Sequence, residues 1–223
     1  MYELYIANKN YSSWSLRPWV LMRELAIPFH ERLVPFGGRA FQAFSPTGKV
    51  PALVDGAITV WDSLAITEYV GERHAGVWPA DAAPRAWARS AAAEMHSGFF
   101  ALRGACGMNC GIRVKLNAVD AALGQELARL EELWADGMSR FGGPFLTGQR
   151  FCAVDAFFAP VAFRIQTYDP PLGPDARRYA ATLLGLASMK AWYAAALAET
   201  SRDEAHEAEA RASGAWTQDL RAH

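Results

Sequence analysis

The chain has 223 residues, enough for two small domains that share an interface, and is 52% apolar, 12% aromatic and 20% charged. This is the composition of a chain that buries a full core, and it excludes whole-chain disorder. A formal net charge of −1 with no long basic run excludes the electrostatic footprint of a nucleic-acid binder.

Residues 2–7 alternate apolar and polar and predict a strand. Residues 15–25 predict a helix with Ser15 as its N-cap and Pro18 in its first turn. A second short strand is expected over 29–33 after the Ile27-Pro28 turn. Residues 51–54 and 58–60 then flank Asp55-Gly56, a hairpin signal. A helix over 62–73 closes the unit.

Beyond it the pattern turns helical. Residues 77–83, with Pro79, read as a linker, so domains are expected over 1–76 and 84–223. Pro84 opens a long helix through Trp87, Ala91, Met95 and Phe99. Gaps of three or four residues link Leu116, Val119, Leu123, Leu127, Leu130 and Trp134 in the next helix. Gly142-Gly143-Pro144 breaks the chain, and 154–165 is a nearly all-apolar helix suited to a central buried position, ended by Asp169-Pro170-Pro171. Shorter helices are expected over 175–184 and 188–198, with a charged, alanine-rich tail from Ser201. The opening residues carry no secretory signal, and no apolar run is long enough to span a bilayer. Three cysteines, Cys106, Cys110 and Cys152, do not make a disulfide framework. A cytoplasmic chain with no membrane partner is therefore expected.

Three pieces of the first domain carry chemistry. Tyr11-Ser12-Ser13-Trp14-Ser15-Leu16-Arg17-Pro18 sets hydroxyls at a helix start, where outward N–H groups and the helix dipole favour an anion such as a thiolate. Plain capping is the alternative use of such serines. Gly48-Lys49-Val50-Pro51-Ala52-Leu53 puts proline at the first position of a strand. It is either an ordinary turn proline or a cis one that turns the Val50 amide outward to pair with an extended peptide. Lys49 is either a solvated charge or a partner for a ligand carboxylate. Trp61-Asp62-Ser63 starts another helix, where Ser63 can hold a carboxylate and Asp62 an ammonium group, or Asp62 simply caps.

In this order the three pieces resemble the glutathione S-transferase superfamily, and the resemblance covers nearly the whole chain. It implies a thioredoxin-like N-terminal domain, βαβ-α-ββα around a mixed four-stranded sheet, followed by an all-helical C-terminal domain. The segment from Tyr11 to Arg17 is similar to the active-site serine segment of the zeta, phi and tau classes, which makes Ser12 the catalytic candidate and Ser13 its substitute. Lys49, Val50 and Pro51 resemble the cis-proline loop, and Asp62-Ser63 the acid-serine pair for the γ-glutamyl group. The resemblance further implies glutathione as co-substrate, an apolar electrophile, a role in detoxification, a homodimer, no metal, and a second-substrate pocket lined by one or two of Met95, Phe99, Phe100 and Met108. Alternatives within it are a glutathione-dependent isomerase or dehalogenase, and a non-catalytic binding module.

The second domain adds Phe145-Leu146-Thr147-Gly148 and Cys152-Ala153-Val154-Asp155, which look like the family's capping element before its central helix. Three departures stand out. Cys152 replaces a serine or threonine, which shifts capping to Asp155. Trp14 replaces the zeta-class cysteine, and Asp62 is shorter than the usual glutamate or glutamine. Cys106, Cys110 and His96 complete no recognisable zinc spacing, and the cysteines read as small buried hydrophobes.

Overall fold

The computed structural model describes residues 1–222. Its N-terminal part is thioredoxin-like, a mixed four-stranded sheet of order β2-β1-β3-β4. The strands are β1 (Tyr2–Ile6), β2 (Phe29–Leu33), β3 (Ala52–Asp55) and β4 (Ile58–Trp61). β1 runs parallel to β2 and antiparallel to β3, and β3 pairs antiparallel with β4. The crossover from β1 to β2 is helix α1 (Ser13–Glu24), and α2 (Ser63–Gly71) follows β4. Alternation in β1 buries Tyr2, Leu4 and Ile6, which join Leu16, Val20, Leu53, Ile66 and Val70 in the core. Each such side chain contributes about 1.5–3 kcal/mol by leaving water. The β3–β4 loop is Gly56-Ala57, with Gly56 at φ +60, a left-handed position that glycine takes without a Cβ clash. Between β2 and β3 the second helix of the expected unit is only a four-residue 3-10 turn, Ala40–Ala43.

The helical half comprises α3 (Ala82–Ser97), α4 (Phe100–Ala105), α5 (Ala121–Phe141), α6 (Ala153–Tyr168), α7 (Pro174–Leu184), α8 (Ala187–Ala198) and α9 (Glu204–Ser213). The expected run through Phe99 ends at Ser97, because Gly98 is extended and Phe99 takes φ +56. A two-stranded antiparallel sheet, β5 (Ile112–Leu116) with β6 (Gly214–Asp219), stands beside the helices, so Leu116 belongs to a strand and not to the start of α5. Gly214 permits that pairing, since a Cβ there would lie 2.1 Å from the Lys115 carbonyl oxygen.

Helix α6 is the hub: all its residues except Gln166 are buried, and it packs on α1, α3 and α7. Its first turn is held by Asp155, which accepts from the Cys152 N–H at 3.0 Å, the Leu146 N–H at 3.1 Å and the Tyr179 hydroxyl at 2.7 Å. Packing of α1 on α6 brings the hydroxyl loop of the sheet domain against the helical domain.

Candidate active site

The loop before α1 is tied down by the far end of the chain. Asn8 donates to Ser201 Oγ at 2.8 Å, the Trp192 indole donates to the Lys9 carbonyl at 2.8 Å, and Glu199 accepts from the Lys9 N–H at 2.6 Å. Tyr11 donates its hydroxyl to Glu207 at 2.6 Å, and Glu207 also accepts from Asn109 and Arg221. The Tyr11 oxygen lies 3.2 Å from Arg221 Nη1. Burial alone would raise the Glu207 carboxyl, but the bonds from Arg221, Tyr11 and Asn109 hold it below its usual range.

Ser12 is the N-cap residue of α1, yet its side chain makes no capping bond. Its Oγ lies 2.7 Å from Ser15 Oγ and the residue is 4% exposed. The expectation that Ser15 caps the helix is therefore corrected: Ser15 is the third helical residue, fully buried, and accepts from the Ala7 N–H at 3.4 Å. Ser13 opens the helix and is half-buried.

Two adjoining cavities share Trp14, Lys49 and Val50. The smaller, 470 Å³, also takes in Pro51, Asp62, Ser63 and His96. The Val50–Pro51 bond is cis, and Lys49 is exposed. Asp62 takes φ +75, a conformation that costs a non-glycine residue about 1–3 kcal/mol and clusters at ligand sites. Its carboxylate does cap α2, accepting from the Leu64 N–H at 2.8 Å, and His96 Nε2 stands 3.6 Å away. Ser63 is 1% exposed, and its hydroxyl oxygen is buried with no hydrogen-bond partner. An unsatisfied buried hydroxyl costs about 1–3 kcal/mol, so one aimed at a cavity points to a polar ligand atom.

The larger cavity, 580 Å³, holds Ser12, Ser13, Tyr11 and Met108, with aromatic walls from Phe36, Phe41 and Phe100. Of the four residues expected at a second-substrate pocket, Phe100 and Met108 line it, whereas Met95 and Phe99 are buried in the core. The sequence-predicted residues thus divide: Ser12 and Ser13 face the larger cavity, Pro51, Asp62 and Ser63 the smaller, and Lys49 and Val50 both. A concavity of 710 Å³ between α5 and α7 includes none of these residues.

Sequence reasoning passed over Arg103, Arg164 and His206, and weighed His96 only as a zinc ligand. His96 sits edge-on to Trp14, and burial lowers its pKa from the ordinary value. Arg103 and Arg164 line the larger cavity from α4 and α6, and His206 from α9, stacked on Tyr11. Only a charge in an otherwise apolar helix could have signalled Arg164; the others lie on elements whose approach to the loop no local pattern encodes.

Residues 11–73 match the family described as Glutathione S-transferase, N-terminal domain. A dichloromethane dehalogenase of Methylorubrum extorquens is 42% identical over 65 residues, covering 26% of this chain and 23% of its own length. Glutathione S-transferase T2 of Arabidopsis thaliana is 29% identical over 133 residues, covering 52% of this chain and 22% of its own. The chain thus spans under a quarter of either of these relatives. Among solved structures, a glutathione transferase homologue from Burkholderia with bound glutathione superposes with a TM-score of 0.66 at 24% identity, covering 87% of this chain and 97% of that one. A tau-class glutathione S-transferase from mango, Mangifera indica, gives 0.70 at 17% identity, covering 95% and 97%. These likenesses establish the fold.

Proposed function

We infer, for a chain whose N-terminal domain belongs to the glutathione S-transferase family, that it binds glutathione in the smaller cavity and transfers the sulfur to an electrophile held in the larger one. The observation that carries this reading is the unpartnered, buried Ser63 hydroxyl beside Asp62 in a cavity continuous with the Ser12 loop. Ser63 and the start of α2 would take the γ-glutamyl carboxylate, Asp62 the ammonium group, the Val50 main chain the cysteinyl amide, and Lys49 a carboxylate. Outside the strand ladders no main-chain group engages Val50 among the described residues, so its amide is available.

The thiol loses its proton to solvent, and the thiolate is held at the N-terminus of α1 by a hydroxyl of Ser12 or Ser13. Ser12 fits better, because its side chain is not spent on capping and its hydroxyl, which donates to Ser15 Oγ in the free chain, lines the larger cavity. The sulfur lone pair then forms a C–S bond, and the leaving group departs with its electron pair. Catalysis here is positioning plus stabilisation of an anion, with no covalent enzyme intermediate. A second reading, glutathione-dependent dehalogenation, uses the same displacement and is favoured by the 42% identity with the dehalogenase. Assays with chlorinated alkanes separate the two.

Replacing Ser63 or Asp62 with alanine should raise the glutathione dissociation constant about tenfold, since charge-assisted bonds contribute roughly 1.5–3 kcal/mol each. Calorimetry on folded variants checks it, and unchanged affinity in both would remove the assignment. A homodimer is also proposed, supported by Ile58 and Trp61, exposed at 48% and 44% on the edge strand β4. Sedimentation of Trp61→Glu against the parent chain tests that. Three free thiols fit the reducing cytoplasm.

A further inference from the structure

The inner wall of the larger cavity carries two arginines, backed by a third, and no carboxylate pairs with any of them. Arg17 is 2% exposed; its guanidinium lies 4.3 Å from the centre of the Trp14 ring and 4.8 Å from that of Phe157. Its Nε and Nη1 have no hydrogen-bond partner. Arg164 is 5% exposed and lines the cavity. It donates through Nη1 to the Arg103 and Cys106 carbonyls, and its buried Nε is unpartnered. Arg103, half-buried, lies 5.3 Å from the Trp14 ring centre and donates to the His96 carbonyl at 3.3 Å. Among the described residues none of the three forms an ion pair.

Three guanidiniums that lie close together without a paired carboxylate destabilise one another. Burial, and then the charges of Arg103 and Arg164, pull Arg17 down to about 9; burial pulls Arg164 down to about 10 and lowers Arg103 as well. The acids near the cluster form no ion pair with it. Glu126, already accepting the Leu102 N–H, favours the charged form of Arg103, Asp62 does so for Arg17, and Glu209 lines the cavity. Lys49 and His206 also face the cavity, so basic groups predominate on its wall. An arriving anion supplies the missing counter-charge, and a planar guanidinium matches a carboxylate in a forked geometry. The Phe36, Phe41 and Phe100 walls meanwhile suit an aromatic or alkenyl body.

We propose that the electrophile cavity selects substrates carrying a carboxylate, bound by Arg164 and Arg103, with the apolar body between the phenylalanines and the reactive carbon toward Ser12 and Ser13. Arg17 acts from behind Trp14, adding field without touching the substrate. This rests on the transferase reading and narrows its substrate class from apolar electrophiles to amphipathic acids.

The test compares 4-nitrocinnamate with 4-nitrocinnamamide, the same skeleton with and without the charge, by calorimetry on the full chain, with and without unreactive S-methylglutathione. The acid is expected to bind about tenfold more tightly than the amide, as charge-assisted bonds imply. Added salt should shrink that preference, as should Arg164→Met and Arg103→Met. Arg164 also holds two carbonyls, so if Arg164→Met fails to fold, the half-exposed Arg103→Met decides. Equal affinity for acid and amide, a preference that both folded variants retain, or no binding of either compound overturns the proposal. Failure of S-methylglutathione to bind counts against the transferase reading alone, because the acid–amide comparison is still read without it.

Discussion

Asp155→Ala is expected to lower the free energy of unfolding by about 3–5 kcal/mol, because three donors lose one acceptor in a fully buried place. The Cys152 N–H, the Leu146 N–H and the Tyr179 hydroxyl all converge on this carboxylate. Each buried donor left unpaired costs about 1–3 kcal/mol, partly recovered by relaxation and water entry. The sign of the pH dependence follows from the carboxyl's own pKa. Burial pushes it up to about 6, against the lowering effect of those three bonds, whereas an unfolded aspartate titrates at about 3.9. A folded pKa above the unfolded one means that the folded chain keeps the proton longer. The contribution is therefore fully present below about pH 4 and is lost as pH rises through about 6, a change on the order of 2–3 kcal/mol. Asp155→Asn cannot titrate and should lack that component. Denaturation midpoints of the parent chain and both variants from pH 4 to 7 check both statements. Glutathione affinity of the folded Asp155→Ala protein should be unchanged; a variant of full stability that fails to bind would place Asp155 in the site.

Ser12→Ala is expected to cut turnover near pH 7 about 10- to 30-fold while glutathione affinity stays nearly constant. A free thiol titrates near 8.5, so only a few per cent is thiolate at neutral pH. One charge-assisted hydroxyl bond of roughly 1.5–3 kcal/mol shifts that by about one to two units. The positive end of α1 adds to it in parent and variant alike. Losing the hydroxyl therefore moves the rate profile toward alkaline pH, and activity recovers above about pH 9. Ser13→Ala should do less, since Ser13 is the first residue of the helix and stands nearer solvent. Thiolate absorbance near 240 nm, titrated in all three proteins, decides between the hydroxyls; three identical curves would mean that neither serine activates the sulfur.

Local signals account for what the sequence makes legible. Period-two alternation marks β1, Asp55-Gly56 the hairpin, and leucines three and four apart α5, since each reports which side of an element meets the core. The Ser12 and Ser63 segments stand out because hydroxyls cluster at helix starts. Misplaced details are those set by tertiary contact. Ser15 has the right spacing for a cap, but the main chain of Ala7 reaches its hydroxyl first, and the helix begins two residues earlier. Strand β5 reads as the prelude to α5 because its partner lies about a hundred residues away, across Gly214. Arg17, Arg103 and Arg164 come from α1, α4 and α6, and no linear spacing unites them.

The bond between Tyr11 and Arg221 joins residues 210 positions apart, and this sets an order of events during synthesis. A ribosome adding about 5–20 residues per second completes that span in roughly 10–40 s. The nascent sheet, whose strands all lie before Asp62, can pair early, but the loop bearing Ser12 and Ser13 cannot acquire its final tethers until the segment through Arg221 has emerged. In the proposed mechanism thiol activation is thus a late property of the growing polypeptide, and a chain stalled before Arg221 carries every proposed glutathione contact beside an unfinished serine loop.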